Sequence, residues 1–226
     1  MRYITEQELR DLFMKGIPEE FALPKDAKLT PAARQYLIDL RLLRSETGKK
    51  NCIKANGPKP EHMTHLNADQ LVHKTHPRIA LRGKLDSLEA EILLVEIQAK
   101  ERGALSIIPA LKDSLALTRR ILAAEVTGKP LGEWQLSDMT PVQIHDASHH
   151  PQRFGFIGHV LPGVEQGMMA ALLNRLRTQV REAELAAAAA FCQGECPSSR
   201  DDLLMALNRL SSYFYVLQLQ AIKGQE

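Results

Sequence analysis

The chain has 226 residues, 44% of them hydrophobic and 25% charged, a balance that suits a folded globular protein and excludes disordered or fibrous classes. A formal net charge of +2 is too small a bias for a nucleic-acid surface, where a clustered basic stripe is expected. Cys52, Cys192 and Cys196 are odd in number and the chain is too long to need disulfide staples, so reduced thiols are the simplest reading. The N-terminus turns polar too early for a secretory signal. The longest apolar run, Leu185 to Cys192, has eight residues, where a membrane-spanning helix needs about 20. A cytoplasmic protein is the expectation.

Residues 1–43 read as a small helical module. Thr5 caps a first helix reaching about Lys15, broken by Gly16 and Pro18. Thr30-Pro31 opens a second, with a hydroxyl N-cap followed by proline at the first helical position. Residues 44–63 hold Gly48, Gly57, Pro58 and Pro60 with little apolar content, and read as a linker to a main domain over 64–226. The spacing of Leu85, Leu88, Ile92, Val95 and Ala99 predicts a long helix from Pro77 to Arg102. A second long helix is predicted from Leu105 to Val126. Residues 129–163, rich in Pro, Gly and His and carrying Trp134, Phe154 and Phe156, read as a long functional loop. A third long helix runs from Val164 to about Cys192, with a seam of Met169, Leu172, Leu176, Val180, Ala183 and Ala187. Ser199 and Asp202 read as a capping-box variant opening a fourth, lined by Leu203, Leu207, Leu210, Phe214 and Leu217. No segment reads as a strand. The expected class is all-α, an antiparallel helix bundle.

Polar stripes run beside these seams. Asn174, Arg177, Arg181 and Glu184 share one helix face, and two arginines one turn apart present rigid forks suited to phosphate oxygens. A solvated face or an ion pair between subunits accounts for the same spacing. Asn208, Ser211 and Tyr215 form a second stripe next to Arg209. Lys74, Arg78, Arg82 and Lys84 cluster where a helix begins, either an anion site or plain surface charge. His145 and His149, and His62 and His65, are spaced closely enough to suggest a metal, but no Cys-x-x-Cys accompanies them, and the reading is that no metal site is built from them. Cys192 and Cys196 read as inert helix-end thiols.

The stretch Thr64-His-Leu-Asn-Ala-Asp-Gln-Leu-Val-His-Lys-Thr-His-Pro-Arg-Ile-Ala-Leu-Arg-Gly-Lys-Leu-Asp86 resembles the ethanolamine-utilisation corrinoid adenosyltransferases. So do Ala171-Leu-Leu-Asn-Arg-Leu-Arg-Thr-Gln-Val-Arg-Glu-Ala-Glu184, Ala206-Leu-Asn-Arg-Leu-Ser-Ser-Tyr-Phe-Tyr-Val216 and Leu23-Pro-Lys-Asp-Ala-Lys-Leu-Thr-Pro-Ala-Ala-Arg34. Four ordered blocks cover nearly the whole chain. The resemblance implies a five-helix bundle assembled as a homotrimer, with ATP and corrinoid between neighbours. It implies ATP binding by Thr64, Lys74, Arg78, Arg177, Arg181, Glu184, Asn208 and Arg209. Asp86 matches an aspartate that pairs with an arginine across a subunit boundary, here Arg177, so that Arg177, Arg181 and Asp86 form the catalytic set. The corrinoid's lower face falls to Phe154, Phe156 and His159, with His159 standing where the propanediol branch has a phenylalanine. The His-x11-Cys-Cys-x-x-Cys metal motif of many ethanolamine-branch members is reduced here to Cys52.

The implied reaction is transfer of the 5′-deoxyadenosyl group of ATP to cob(I)alamin or a related corrinoid, cob(I)yrinic acid a,c-diamide included, giving adenosylcobalamin for ethanolamine catabolism. Mg²⁺ accompanies ATP, a reductant such as a reduced flavoprotein supplies cobalt(I), and an adenosylcobalamin-dependent lyase is the recipient. Association with a bacterial microcompartment goes with that setting. The alternative is a non-catalytic carrier of adenosylcobalamin or a microcompartment docking protein.

Overall fold

A computed structural model describes residues 2–14, 27–40, 59–192 and 198–224. Contacts divide the chain into two units, Met1–Cys52 and Ile53–Glu226. The helix breakers Gly16, Pro18, Gly194 and Pro197, the thiols Cys52 and Cys196, and the expected linker as far as residue 58 lie outside the described residues.

In the first unit, strand β1 (Arg2–Ile4) pairs in parallel with β2 (Ala27–Leu29). Helix α1 (Glu6–Phe13) opens on Thr5 in a reciprocal capping box: the Glu8 amide donates to the threonine hydroxyl and the Glu8 carboxylate accepts from the Thr5 amide at 2.8 Å. Helix α2 (Pro31–Asp39) opens on Thr30, whose hydroxyl accepts from the Ala33 amide at 3.3 Å. Leu9, Phe13, Ala33 and Leu37 form the core between these helices.

The second unit begins with a hairpin, β3 (Met63–Asn67) and β4 (Gln70–His73), whose register slips between His65 and Asn67. Neither strand pair was expected. Strands of three to five residues are too short for inward–outward alternation to rise above chance. Four long helices follow as α3 (Pro77–Glu101), α4 (Ile108–Thr127), α6 (Gly167–Phe191) and α7 (Asp201–Lys223), with the short α5 (Pro141–His149) between α4 and α6. The expected helix starts at Leu105 and Val164 are single 3-10 turns. The predicted seams are the buried ones: Leu85, Leu88, Ile92 and Val95 of α3 meet Leu176, Val180 and Ala183 of α6 and Leu207, Leu210 and Phe214 of α7 in one apolar cluster. The fold is thus a mainly helical bundle.

The reading of Ser199 and Asp202 as a capping box is corrected. Arg200 is the N-cap of α7, and the Asp202 carboxylate is taken by the Arg200 guanidinium at 2.9 and 3.0 Å and by the Leu131 amide at 2.9 Å. Arg200 also donates to the carbonyls of Ala124 and Lys129, each at 3.0 Å, satisfying groups left open where α4 ends at Gly128. One arginine therefore ties the end of α4 to the start of α7.

A second tie lies beneath the hairpin. Glu125 of α4 is fully buried, and each of its oxygens accepts from a guanidinium, one from Arg78 and one from Arg82. Arg82 extends further to the Leu66 carbonyl at 2.8 Å, so the carboxylate fixes α3, α4 and β3 together. Removing one partner of such a cluster leaves uncompensated charge. Glu125→Ala is expected to cost about 3 kcal/mol in guanidinium chloride denaturation, whereas Lys84→Ala, which breaks an exposed pair with Glu182, is expected to cost less than about 1 kcal/mol.

Candidate functional site

On α6 the residues Asn174, Arg177, Arg181 and Glu184 follow one another at steps of three, four and three, which keeps them on one face. Arg177 is half-buried and its Nε donates to the Asn174 Oδ1 at 3.0 Å. Arg181 is exposed and meets no partner among the described residues. Burial first, and the like charge of Arg181 second, push the Arg177 guanidinium below its ordinary pKa, while Tyr215 acts in the opposite sense. A guanidinium does not give up its proton at neutral pH, so the shift marks a positive charge without a counterion.

Glu184, the nearest acid on this face, is turned toward α7, where its carboxylate accepts from the Asn208 Nδ2 at 2.9 Å. The Asn208 Oδ1 in turn accepts from Arg209 Nη1 at 2.5 Å. Arg209 lies close to α5: its charge is the leading cause that lowers the pKa of the exposed His145, followed by desolvation and by His149, whose ring centroid is 4.4 Å away. Arg177 and Arg181 thus share an α6 face with a carboxylate already hydrogen-bonded to Asn208, the residue that also takes Arg209. Such a surface suits a polyanion whose planar oxygen pairs match the guanidinium fork.

Two turns after Asn208 on α7 stands Tyr215, itself buried. The exposed His159 ring stacks on it with centroids 4.8 Å apart and planes tilted by 26°. The segment around it is apolar and open to solvent: Ile157, Leu161 and Val164 are exposed, and Phe154 and Phe156 are half-buried.

The structure brings Arg177, Arg181 and Glu184 of α6 together with Asn208 and Arg209 of α7, and sets the His159 ring against Tyr215 of α7. Other predicted residues stand apart. Lys74 makes a loose ion pair with Glu61 at 4.0 Å, and Thr64 sits half-buried in β3. In the basic cluster at the start of α3, read as an anion site or as plain surface charge, Arg78 and Arg82 are engaged by Glu125 and Lys84 by Glu182 at 2.7 Å. Asp86 is exposed and pairs with nothing among the described residues of its own chain. Two residues before it, Lys84 faces α6, and a two-residue step turns a helix by about 200°, so Asp86 points away from Arg177 of the same chain. His62 lies against His73 across the hairpin, with ring centroids 5.2 Å apart. No cluster of three or more His, Cys, Asp or Glu side chains able to hold a metal occurs among the described residues. No helix among them is long and apolar enough to cross a membrane.

Two features escaped the sequence reading. Glu125 follows Leu111 and Thr118 at seven-residue steps on the buried seam of α4, so a carboxylate at a core position was its signal. Helix α5 has the same Thr-Pro opening that marked α2, strengthened by Gln143 in a reciprocal capping box with Thr140. A cavity of about 530 Å³ lies at the other end of α7, lined by Ala104, Ile107, Met139, Tyr213 and Leu217, and none of the predicted site residues borders it.

The family described as cobalamin adenosyltransferase matches residues 56–221, and the corrinoid adenosyltransferase EutT N-terminal domain matches residues 3–44. The chain is 33% identical to a protein of Escherichia coli K12 named corrinoid adenosyltransferase EutT, over 99% of this chain and 93% of the relative. It is also 33% identical to the protein of the same name from Salmonella typhimurium LT2, over 97% of this chain and 92% of the relative. No solved structure matches the chain.

The proximity of Arg209 to His145 is open to direct test. Removing the positive charge favours the protonated imidazole, so Arg209→Ala is expected to raise the His145 pKa toward its ordinary value. A proton NMR titration of the histidine ring signals measures this.

Proposed function

The chain belongs to the cobalamin adenosyltransferase family of enzymes, and we propose that it moves the 5′-deoxyadenosyl group of ATP onto a cob(I) corrinoid for ethanolamine catabolism, with Arg177 and Arg181 receiving the triphosphate. The observation that carries this reading is the pair of guanidiniums one turn apart on α6 without a carboxylate between them.

In the reaction, cobalt(I) attacks C5′ of ATP, a cobalt–carbon bond forms, and the C5′–oxygen bond breaks with its electron pair leaving on the phosphate chain. The new charge arises on the oxygen nearest the ribose, and guanidinium groups already in position stabilise it without rearranging. Glu184, Asn208 and Arg209 form the neighbouring hydrogen-bonded set that holds the nucleotide. No side-chain nucleophile is required. Mg²⁺ bound to the triphosphate would share the phosphate charge.

Phe154, Phe156 and His159 serve the corrinoid's lower face. The open apolar surface of Ile157, Leu161 and Val164 supports this, since it offers contact to a flat macrocycle and little competing ligation. A reductant such as a reduced flavoprotein supplies the electron for cobalt(I), and an adenosylcobalamin-dependent lyase takes the product. Assembly as a homotrimer completes the site by bringing Asp86 to Arg177 of a neighbour. Asp86 without a partner among the described residues of its own chain supports that, as do Leu93 and Ile97, 42% and 52% exposed about two and three turns further along α3. Thr64, Lys74 and Arg78 are assigned to the phosphate side of the same nucleotide. Arg78 does so with the edge of its guanidinium that Glu125 leaves open.

Mixing the protein with ATP, Mg²⁺, cob(II)alamin and a reductant is expected to give the visible spectrum of adenosylcobalamin. Arg181→Ala, at an exposed position where substitution costs little stability, is expected to lower the rate at least about 100-fold while circular dichroism stays unchanged. Wild-type turnover in that variant would remove the phosphate role. Tight corrinoid binding without product would point to a carrier.

A further inference from the structure

We propose that Tyr215, seconded by Gln218, is a positioning residue that anchors the segment 157–166 to α7, and so fixes the distance between the corrinoid-facing side chains and the nucleotide-holding ones. The inference rests on the adenosyl-transfer reading, because that reaction gives the distance its importance.

The segment needs an anchor. Between Phe156 and Gly163 it has no helix or strand of its own, and Gly158, at φ +76°, lets it turn sharply. It is caught from α7 directly at one backbone amide and, through the Gln166 side chain, at one carbonyl. The Val160 amide donates to the Tyr215 Oη at 3.1 Å, and His159 stacks on the same ring. One turn further along α7, the buried Gln218 donates from Nε2 to the Gln166 Oε1 at 3.5 Å, and Gln166 donates from its own Nε2 to the Leu161 carbonyl at 2.6 Å. Both anchors stand on the helix that carries Asn208 and Arg209. A buried side chain of the bundle thus touches the loop with both its hydroxyl and its ring.

Geometry of this kind matters where a metal-centred nucleophile must reach one carbon in line. A misplacement of about 1 Å costs roughly 100-fold in rate. An anchor that holds the loop without touching either substrate acts on corrinoid turnover and leaves nucleotide affinity alone.

Tyr215→Phe keeps the ring under His159 and removes only the acceptor of the Val160 amide. Hydrogen exchange at that amide is expected to quicken at least about tenfold, the helix amides of α6 and α7 keeping their protection. In turnover, kcat/KM for cob(II)alamin under reducing conditions is expected to fall about tenfold, while the calorimetric Kd for MgATP stays within about twofold. Gln218→Leu, which cuts the second point of attachment, is expected to quicken exchange around Leu161 to Gln166 and to lower the same kcat/KM. Unchanged exchange at Val160 overturns the anchor. An MgATP Kd that weakens as much as the corrinoid kcat/KM overturns it as well, since Tyr215 would then belong to the nucleotide site. The exchange result decides the anchor by itself, so a wild-type protein that forms no adenosylcorrinoid would sink the reaction and not this test.

Discussion

Two positive charges held one helical turn apart, with no acid placed to cancel them, are the constraint around which the second unit is built. Six other arginines of that unit meet acids: Arg78 and Arg82 meet Glu125, Arg119 meets Glu89, Arg153 meets Asp146, Arg175 meets Glu91 and Arg200 meets Asp202. Arg177 has only an amide oxygen, and Arg181 has no partner among the described residues. Glu184 lies within reach along the same face and is instead committed to Asn208. Half-burying a guanidinium beside another costs free energy that burial alone does not return. The cost is offset when a polyanion binds, and the affinity then reports how well the pair was held ready.

The bundle supplies that readiness by fixing its helix ends. Arg200 grips the last carbonyls of α4 and the first acid of α7 together, which sets how far α7 advances and hence where Asn208 and Arg209 stand against α6. At the same end of α4, Glu125 binds that helix to the start of α3, and Arg82 carries the restraint to the hairpin. Both ties join elements distant in sequence through charge-assisted bonds, which are stronger and more directional than neutral ones. Apolar packing along the seams then only has to keep the helices in contact, a less demanding task than setting their register.

The legible part of this protein was what repeats. Leucines at steps of three and four along α3, α6 and α7 declared their helices and their buried faces, and the stripe from Asn174 to Glu184 could be read as one surface before any fold was known. Spacing alone left that stripe undecided between a phosphate site and a solvated face, and the resemblance to corrinoid adenosyltransferases decided the chemistry. What repetition does not mark stayed hidden. The three- to five-residue strands are too brief to show a period. Helix α5 was lost inside a Pro- and His-rich stretch although Thr140 and Gln143 cap it. Ser199 and Asp202 looked like a capping box because the acid of such a box and a salt-bridge acceptor are the same residue type, and only the neighbouring Arg200 separates them. Spacing left the basic run at the start of α3 open between an anion site and surface charge because its counter-charge, Glu125, lies more than forty residues away in sequence.

The account stands on whether the α6 guanidiniums receive a triphosphate. Calorimetric titration of MgATP into the wild-type protein and into the double variant Arg177→Ala, Arg181→Ala tests this most directly. The account predicts saturable binding to the wild type and affinity lowered at least about 100-fold in the double variant, with the helical circular dichroism retained. Superimposable isotherms from the two proteins would contradict it.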